Sequence, residues 1–321
     1  MLIDMPVEKL REYRGINPKP ADLDAYWSRA LAELEATAAK AEFIPSTFQT
    51  PDIECLDLFF TGVGGSRIHA KVMRPRDPAR RHGAAVVKFH GYSGNAGDWV
   101  SNMAYPANGF TYAALDCRGQ SGHSEDLTPT KGNTLHGHII RGLDDHPDKL
   151  LYRSIFLDCV RLIQLVAEMP GVDRNRIGVY GGSQGGALTL AAASLVPWVN
   201  RLVPHVPFLS DYQRVWEMDL AVNAYAELKE YFRFFDPRHE HQQEVFTRLG
   251  YIDVHHLAPR IRGKVIMFTG LMDTICPPST QFAAYNAITS EKKVYLYPDF
   301  GHEDFPEQSE ITMNFMLEMA K

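Results

Sequence analysis

Cysteine is scarce. The 321 residues hold four, Cys55, Cys117, Cys159 and Cys276, and none forms a CxxC pair. That spacing argues against a disulfide framework and reads as isolated, reduced thiols of a cytoplasmic protein. Long apolar runs are missing as well. No segment approaches the ~20 apolar residues a membrane helix needs. The N-terminal stretch MLIDMPVEKLREYRG has no apolar run of the signal-peptide kind. There is no long basic run, and 33 Lys+Arg against 39 Asp+Glu give a net charge of −6. Neither nucleic acid nor an anionic membrane is expected as a partner. Internal repeats and low-complexity tracts are absent. So are G-x-G-x-x-G, the P-loop pattern and H-E-x-x-H, and no cofactor or metal is expected. His136/His138 and His239/His241 form H-x-H pairs, but no carboxylate stands at a telling spacing.

What remains is an ordinary globular composition, 45% hydrophobic, 22% charged and 11% aromatic. The length allows one large domain with a sizeable core. Residues 21–40 read as an amphipathic helix with Leu23, Trp27, Ala30, Leu31 and Leu34 on one side. Residues 53–60 and 67–73 read as strands joined by TGVGG, an antiparallel hairpin. Continuous apolar runs follow at 84–90, 110–116, 176–181, 201–206, 264–269 and 293–297. Strands buried on both faces of a parallel sheet look like this. Helical segments alternate with them, most clearly 152–168, which predicts a doubly wound α/β fold with ligand sites at the strand carboxyl ends.

Two long interruptions break the alternation. Residues 121–151 are polar and turn-rich. Leu135 and Ile139-Ile140 are the apolar residues available there to meet a second copy of the chain; the alternative is a solvated loop on a monomer. Residues 208–262 have too few apolar residues for their own core and read as a helical cap inserted into a single domain spanning 1–321.

The sharpest motif is Gly181-Gly182-Ser183-Gln184-Gly185, a G-x-S-x-G between a predicted strand and a predicted helix. A chain turning that sharply with a strained serine tolerates only small neighbours. A serine hydroxyl needs a base to take its proton. The template order Ser, acid, His is met by Asp273, after the strand at 264–269, and His302, after the last strand. Asp299 and Asp304 are rivals for the acid, but both sit in the His302 loop itself. For the oxyanion hole the backbone N–H groups of Gln184 and Tyr92 are assigned, Tyr92 lying in HGYSG (90–94) after the first buried strand. The cap aromatics Trp216, Tyr225, Tyr231, Phe232 and Phe234 either crowd the acyl side, face the acceptor, or pack the cap.

Arg118-Gly119-Gln120, the GGSQG elbow and His302-Glu303, with LDCRGQSG (115–122) and VDRNRIGVYGGSQGG (172–186), resemble the acetyl xylan esterase / cephalosporin C deacetylase family of α/β-hydrolases (carbohydrate-esterase family seven). The likeness spans nearly the whole chain. It implies an α/β-hydrolase fold and a cytoplasmic serine esterase without cofactor. The implied substrates are short acetylated xylo-oligosaccharides and cephalosporin C. Ser183, Asp273 and His302 carry over as the triad, with Tyr92 and Gln184 as oxyanion donors. The resemblance further implies a hexamer, a dimer of trimers with its sites facing an internal cavity. Arg118, Gln120 and Glu303 read as supports behind the reacting groups. Arg118 either scaffolds two loops or neutralises a carboxylate near the site.

Two other classes compete. A peptidase of the prolyl-oligopeptidase type shares fold and triad, but 321 residues leave no room for its usual extra domain. A non-catalytic hydrolase relative would typically lack a triad member, and this chain keeps all three candidates. A short-chain carboxylesterase of other specificity stays open on the residues alone.

Overall fold

The apolar runs fold as strands of one nine-stranded sheet in a computed structural model that describes residues 3–132 and 137–321. In chain order the strands are β1 (Glu42–Pro45), β2 (Ile53–Thr61), β3 (Arg67–Pro75), β4 (Ala85–Phe89), β5 (Thr111–Leu115), β6 (Ile177–Gly182), β7 (Arg201–His205), β8 (Lys264–Gly270) and β9 (Lys292–Tyr297). They lie in the order β1-β2-β3-β5-β4-β6-β7-β8-β9. The first four in that order run antiparallel to one another; β5 to β9 are parallel. This is the predicted hairpin followed by the predicted parallel sheet. The edge strand β1 was not anticipated. Its four residues are all exposed and show no alternation to read.

Successive residues of the inner strands face opposite sides. Ala85, Val87 and Phe89 join one core cluster, Ala84 and Val86 the other. The larger cluster lies under the helices Leu23–Ala36, Leu151–Ala167 and Gln184–Leu195. The Gln184–Leu195 helix is buried on every side, and its small residues (QGGALTLAAASL) let it sit close on the sheet. The opposite face is closed by Tyr105 from a short helix and by Met316 from the Gln308–Leu317 helix.

The sheet reverses direction of growth at β4. The chain goes from β4 to β5 on one side, then crosses to β6 on the other. The crevice at such a switch point is where this architecture places its ligands. Phe89 pairs with Gly181 and Gly182 with His205, so the loops after β4, β6 and β7 leave the sheet side by side.

Residues 208–262 form the helices Tyr212–Glu217, Ala226–Phe235, Gln242–Leu249 and Val254–Leu257. Phe208, Tyr212, Tyr225, Leu228, Phe232 and Phe246 are buried in the same cluster as the strands. The apolar residues of this segment therefore extend the main core. The 121–151 excursion behaves similarly. Ile139, Ile140 and Leu143 are buried within the chain, so Ile139 and Ile140 are not free to pack against a second copy. Leu135 and His136 lie outside the described residues.

Candidate active site

Ser183 sits between β6 and the Gln184–Leu195 helix with φ 56° and ψ −116°, a strained conformation for a residue with a side chain. The turn is held on three sides: Ser183 N–H donates to His205 O at 2.9 Å, and Ser183 O accepts from Ala187 N–H and Phe208 N–H at 3.1 Å each. Two glycines explain the motif. A Cβ on Gly181 would lie 2.4 Å from Phe89 O, and one on Gly185 2.1 Å from the same oxygen. Both approaches are to backbone, which cannot step aside. Gly182 has more room, with His205 Cδ2 at 3.3 Å.

Asp273 follows β8 and is fully buried. One carboxylate oxygen accepts from the N–H groups of Ile275 (2.9 Å) and Cys276 (2.8 Å). The other meets Gln281 Nε2 at 3.1 Å and His302 Nδ1 at 2.8 Å. An imidazole whose Nδ1–H donates to a carboxylate presents its Nε2 as a base. The rivals Asp299 and Asp304 are exposed. The Ser183 hydroxyl lies against the Cys276 thiol. Among the described residues it makes no hydrogen bond to His302; such bonds are often long before substrate binds.

Around the elbow, the backbone N–H groups of Tyr92 and Gln184 have no protein acceptor among the described residues. Gln184 is the first residue of its helix, where N–H groups are unpaired and the helix dipole favours negative charge. Its buried side chain links three segments. It accepts from Tyr152 Oη at 2.8 Å and Gln120 Nε2 at 2.9 Å, and it donates to the carbonyls of His90 and Gly91 at 3.4 Å. His90 braces the oxyanion loop with a defined tautomer: Nδ1–H donates to Gly91 O (2.7 Å) and Nε2 accepts from Cys117 N–H (3.0 Å).

The family model for Acetyl xylan esterase (AXE1) matches residues 1–319. The chain belongs to the acetyl xylan esterase family. Within that family it resembles the solved acetyl xylan esterase 1 of Thermoanaerobacterium sp. JW/SL YS485, at 55% identity over 99% of this chain and 100% of that one, with a TM-score of 0.97. The acetyl xylan esterase of Paenibacillus sp. R4 is 35% identical over 98% of this chain and 99% of that one, with a TM-score of 0.93. A further relative, acetyl esterase Axe7A of Xylanibacter ruminicola, is 27% identical over 94% of this chain and 68% of its own length. Members of the acetyl xylan esterase family are carboxylic ester hydrolases, so the peptidase and the inert relative fall away.

The other sequence candidates are placed apart from the reacting groups of this esterase. Arg118 is fully buried and grips Asp158 through Nε and Nη2, both at 2.7 Å. Its Nη1 donates to Val63 O (3.2 Å) and Ser66 Oγ (3.3 Å). It thus joins the loop after β5 to the Leu151–Ala167 helix and the β2–β3 turn. Gln120 reaches the site only through Gln184. Glu303 folds back on its own loop, accepting from Gly301 N–H at 2.9 Å. Trp216 and Phe232 pack at a tilt in the cap, with ring centres 4.6 Å apart. Tyr225 packs on Phe208, Tyr231 bonds Asp144, and Phe234 is exposed. Most of the cap aromatics therefore serve its packing.

Two residues escaped the sequence reading. Gln281, on the Pro278–Ala287 helix, holds Asp273 Oδ2 and Cys276 O. His205 donates from Nε2 to Glu303 O at 3.0 Å and packs on Phe305, steadying the His302 loop. Burial pushes its pKa down to about 4, so it is neutral at pH 7. Neither has a motif to announce it. Asp253, His255 and His256 bring ligand-type atoms within 4.8 Å of one another. Asp253 is already committed there, to His255 Nδ1 at 2.7 Å and to Asp211 N–H at 2.9 Å. In the H-x-H pairs, His138 faces Ser93 Oγ, His239 packs on Trp216 and His241 faces Glu244.

Proposed function

We propose that this esterase removes acetyl groups from small acceptors, short acetylated xylo-oligosaccharides and cephalosporin C among them, through an acyl-enzyme on Ser183. Ser183 Oγ attacks the acetyl carbonyl while His302 Nε2 takes its proton. Asp273 fixes the imidazole tautomer and stabilises the imidazolium. The N–H groups of Tyr92 and Gln184 receive the oxyanion. Collapse breaks the ester C–O bond, and His302 returns the proton to the departing alkoxide. Water then attacks the acetyl-serine with His302 again as base, releasing acetate and restoring Ser183. The observation that carries this reading is Ser183 in its strained turn, ahead of a helix whose first N–H has no acceptor among the described residues.

The preference for acetyl is supported by the rings beside the elbow. Phe208 donates its N–H to Ser183 O, and Tyr92 meets Phe208 edge-on at 6.0 Å. Each methylene misfit in such a space is worth about 1–3 kcal/mol. The reading extends to a cytoplasmic homo-oligomer, a hexamer built as a dimer of trimers, whose enclosed sites admit oligosaccharides and exclude polymeric xylan. Four buried free cysteines suit a reducing compartment. Exposed Phe43 and Ile44 on the edge strand β1 and exposed Leu127 supply apolar surface for assembly. The test is a chromogenic acyl series from acetyl to octanoyl beside an aminoacyl anilide. Steep loss beyond acetyl and no anilide cleavage are expected. A flat acyl profile contradicts the acetyl preference and leaves a carboxylesterase of other specificity.

A further inference from the structure

Glu227 is a carboxylate that the mechanism leaves unused. It lies in the first turn of the Ala226–Phe235 helix and is 3% exposed. No cation pairs with it among the described residues. Its partners are four donors from two other segments. Oε1 accepts from Tyr92 Oη and from His138 N–H, both at 3.2 Å. Oε2 accepts from Ile139 N–H at 2.9 Å and Ile140 N–H at 3.0 Å. Consecutive N–H groups curled round one carboxylate form a nest, which binds anions. The nest needs Gly137, at φ 68°; a Cβ there would lie 2.2 Å from the Glu227 carboxyl.

A buried carboxylate is costly unless hydrogen bonds or a counter-charge offset its lost hydration, and here four donors do so. Burial pushes the Glu227 carboxyl up to about 7, although its hydrogen bonds pull the other way. Tyr152 and Tyr212 also face it, besides Tyr92 and His138. What this arrangement secures is the Tyr92 side chain. Tyr92 sits in a tight loop closed by Gly94 N–H on Gly91 O at 3.0 Å, with Ser93 at φ 56°. Its ring lies on His138, whose own backbone is in the nest, at 4.6 Å. The side chain is thus fixed at its tip by Glu227 and along its ring by the segment Glu227 holds. A loop residue pinned at the tip of a rigid aromatic side chain has little freedom to rotate its own peptide N–H.

We infer that Glu227 is a positioning residue, which clamps Tyr92 through its hydroxyl so that the Tyr92 N–H stays aimed at the oxyanion. The inference rests on Tyr92 being an oxyanion donor in the proposed mechanism. Removing a donor outright costs about 10²–10³ in kcat. Loosening one costs less, of the order of tenfold.

The test is a double-mutant cycle of Tyr92→Phe and Glu227→Gln on 4-nitrophenyl acetate, with Ser183→Ala alongside and melting curves for each variant. Tyr92→Phe keeps the backbone N–H and the ring and deletes only the clamp. It is expected to lower kcat about tenfold with KM changed less than twofold. The double variant is expected to lose less than the product of the two single losses, since both changes disturb the Tyr92–Glu227 contact, Glu227→Gln disturbing the nest as well. Wild-type kcat in Tyr92→Phe, a loss confined to KM, or multiplying losses in the double variant would overturn the clamp. Should Glu227→Gln not fold, Tyr92→Phe alone decides. If Ser183→Ala stays active, it is the serine mechanism that has failed; if Ser183→Ala is dead while Tyr92→Phe is unimpaired, only the clamp has.

Discussion

Arg118→Leu separates scaffold from chemistry. The Arg118 and Asp158 side chains are both fully buried, and the two hold each other bidentately. Removing the guanidinium strands the Asp158 carboxylate without water or counter-charge and leaves Val63 O and Ser66 Oγ without this donor. Breaking one side of a buried pair costs about 3–5 kcal/mol. With an unfolding entropy of about 2.1 cal/mol/K per residue, a chain of this size loses about 5–7 °C in Tm for that energy. The double variant Arg118→Leu/Asp158→Leu carries no stranded charge and is expected to recover most of the loss. Urea melts and calorimetry read the stability; kcat on an acetyl ester, measured well below Tm, reads the chemistry. The account predicts lowered Tm with kcat within about threefold of wild type, because Arg118 touches none of Ser183, Asp273 or His302. A kcat loss of a hundredfold or more with unchanged Tm would refute it.

Three further outcomes are expected, the last resting on the proposed assembly. Ser183→Ala, His302→Ala and the double variant are expected to lose nearly the same kcat, since the groups act as a unit, and Asp273→Asn to lose up to about four decades; steady-state assays on purified, folded protein check this. Asp116 accepts from His69 Nδ1 (2.7 Å), His123 N–H (2.8 Å) and Ala96 N–H (2.6 Å). Against the desolvation of its burial, these bonds hold its pKa down at about 2. The folded value lies below the unfolded one, so the stabilisation is present above about pH 4 and disappears as pH falls through about 2; acid titration of stability in Asp116→Asn should be flatter over that window. Light scattering after size exclusion is expected to show an oligomer at micromolar concentration, and a 36.2 kDa species would contradict the assembly.

The sequence made the parallel strands legible because strands buried on both faces must be apolar throughout. It made the elbow legible because Phe89 O stands where a Cβ on Gly181 or Gly185 would go. Asp273 and His302 could be found because the template puts them after particular strands. Contacts that exist only after folding were beyond it. Glu227 meets its nest across nearly ninety positions of chain, and Gln281 differs from other buried helix residues only by what lies opposite. Ile139 and Ile140 misled for a related reason. Apolar residues in a polar excursion look like an interface until the cap is seen to supply a core for them. Glu303 adjoins the base in sequence, yet its carboxylate turns back to Gly301 N–H.

The central claim is that Ser183 carries the acetyl group between the two half-reactions. Rapid acid quench during turnover of 4-nitrophenyl acetate, followed by peptide mass spectrometry, tests it most directly. The account predicts one added acetyl group on the peptide holding Ser183, absent in Ser183→Ala. An acetyl group found instead on the neighbouring Cys276, or brisk turnover by Ser183→Ala, would contradict it.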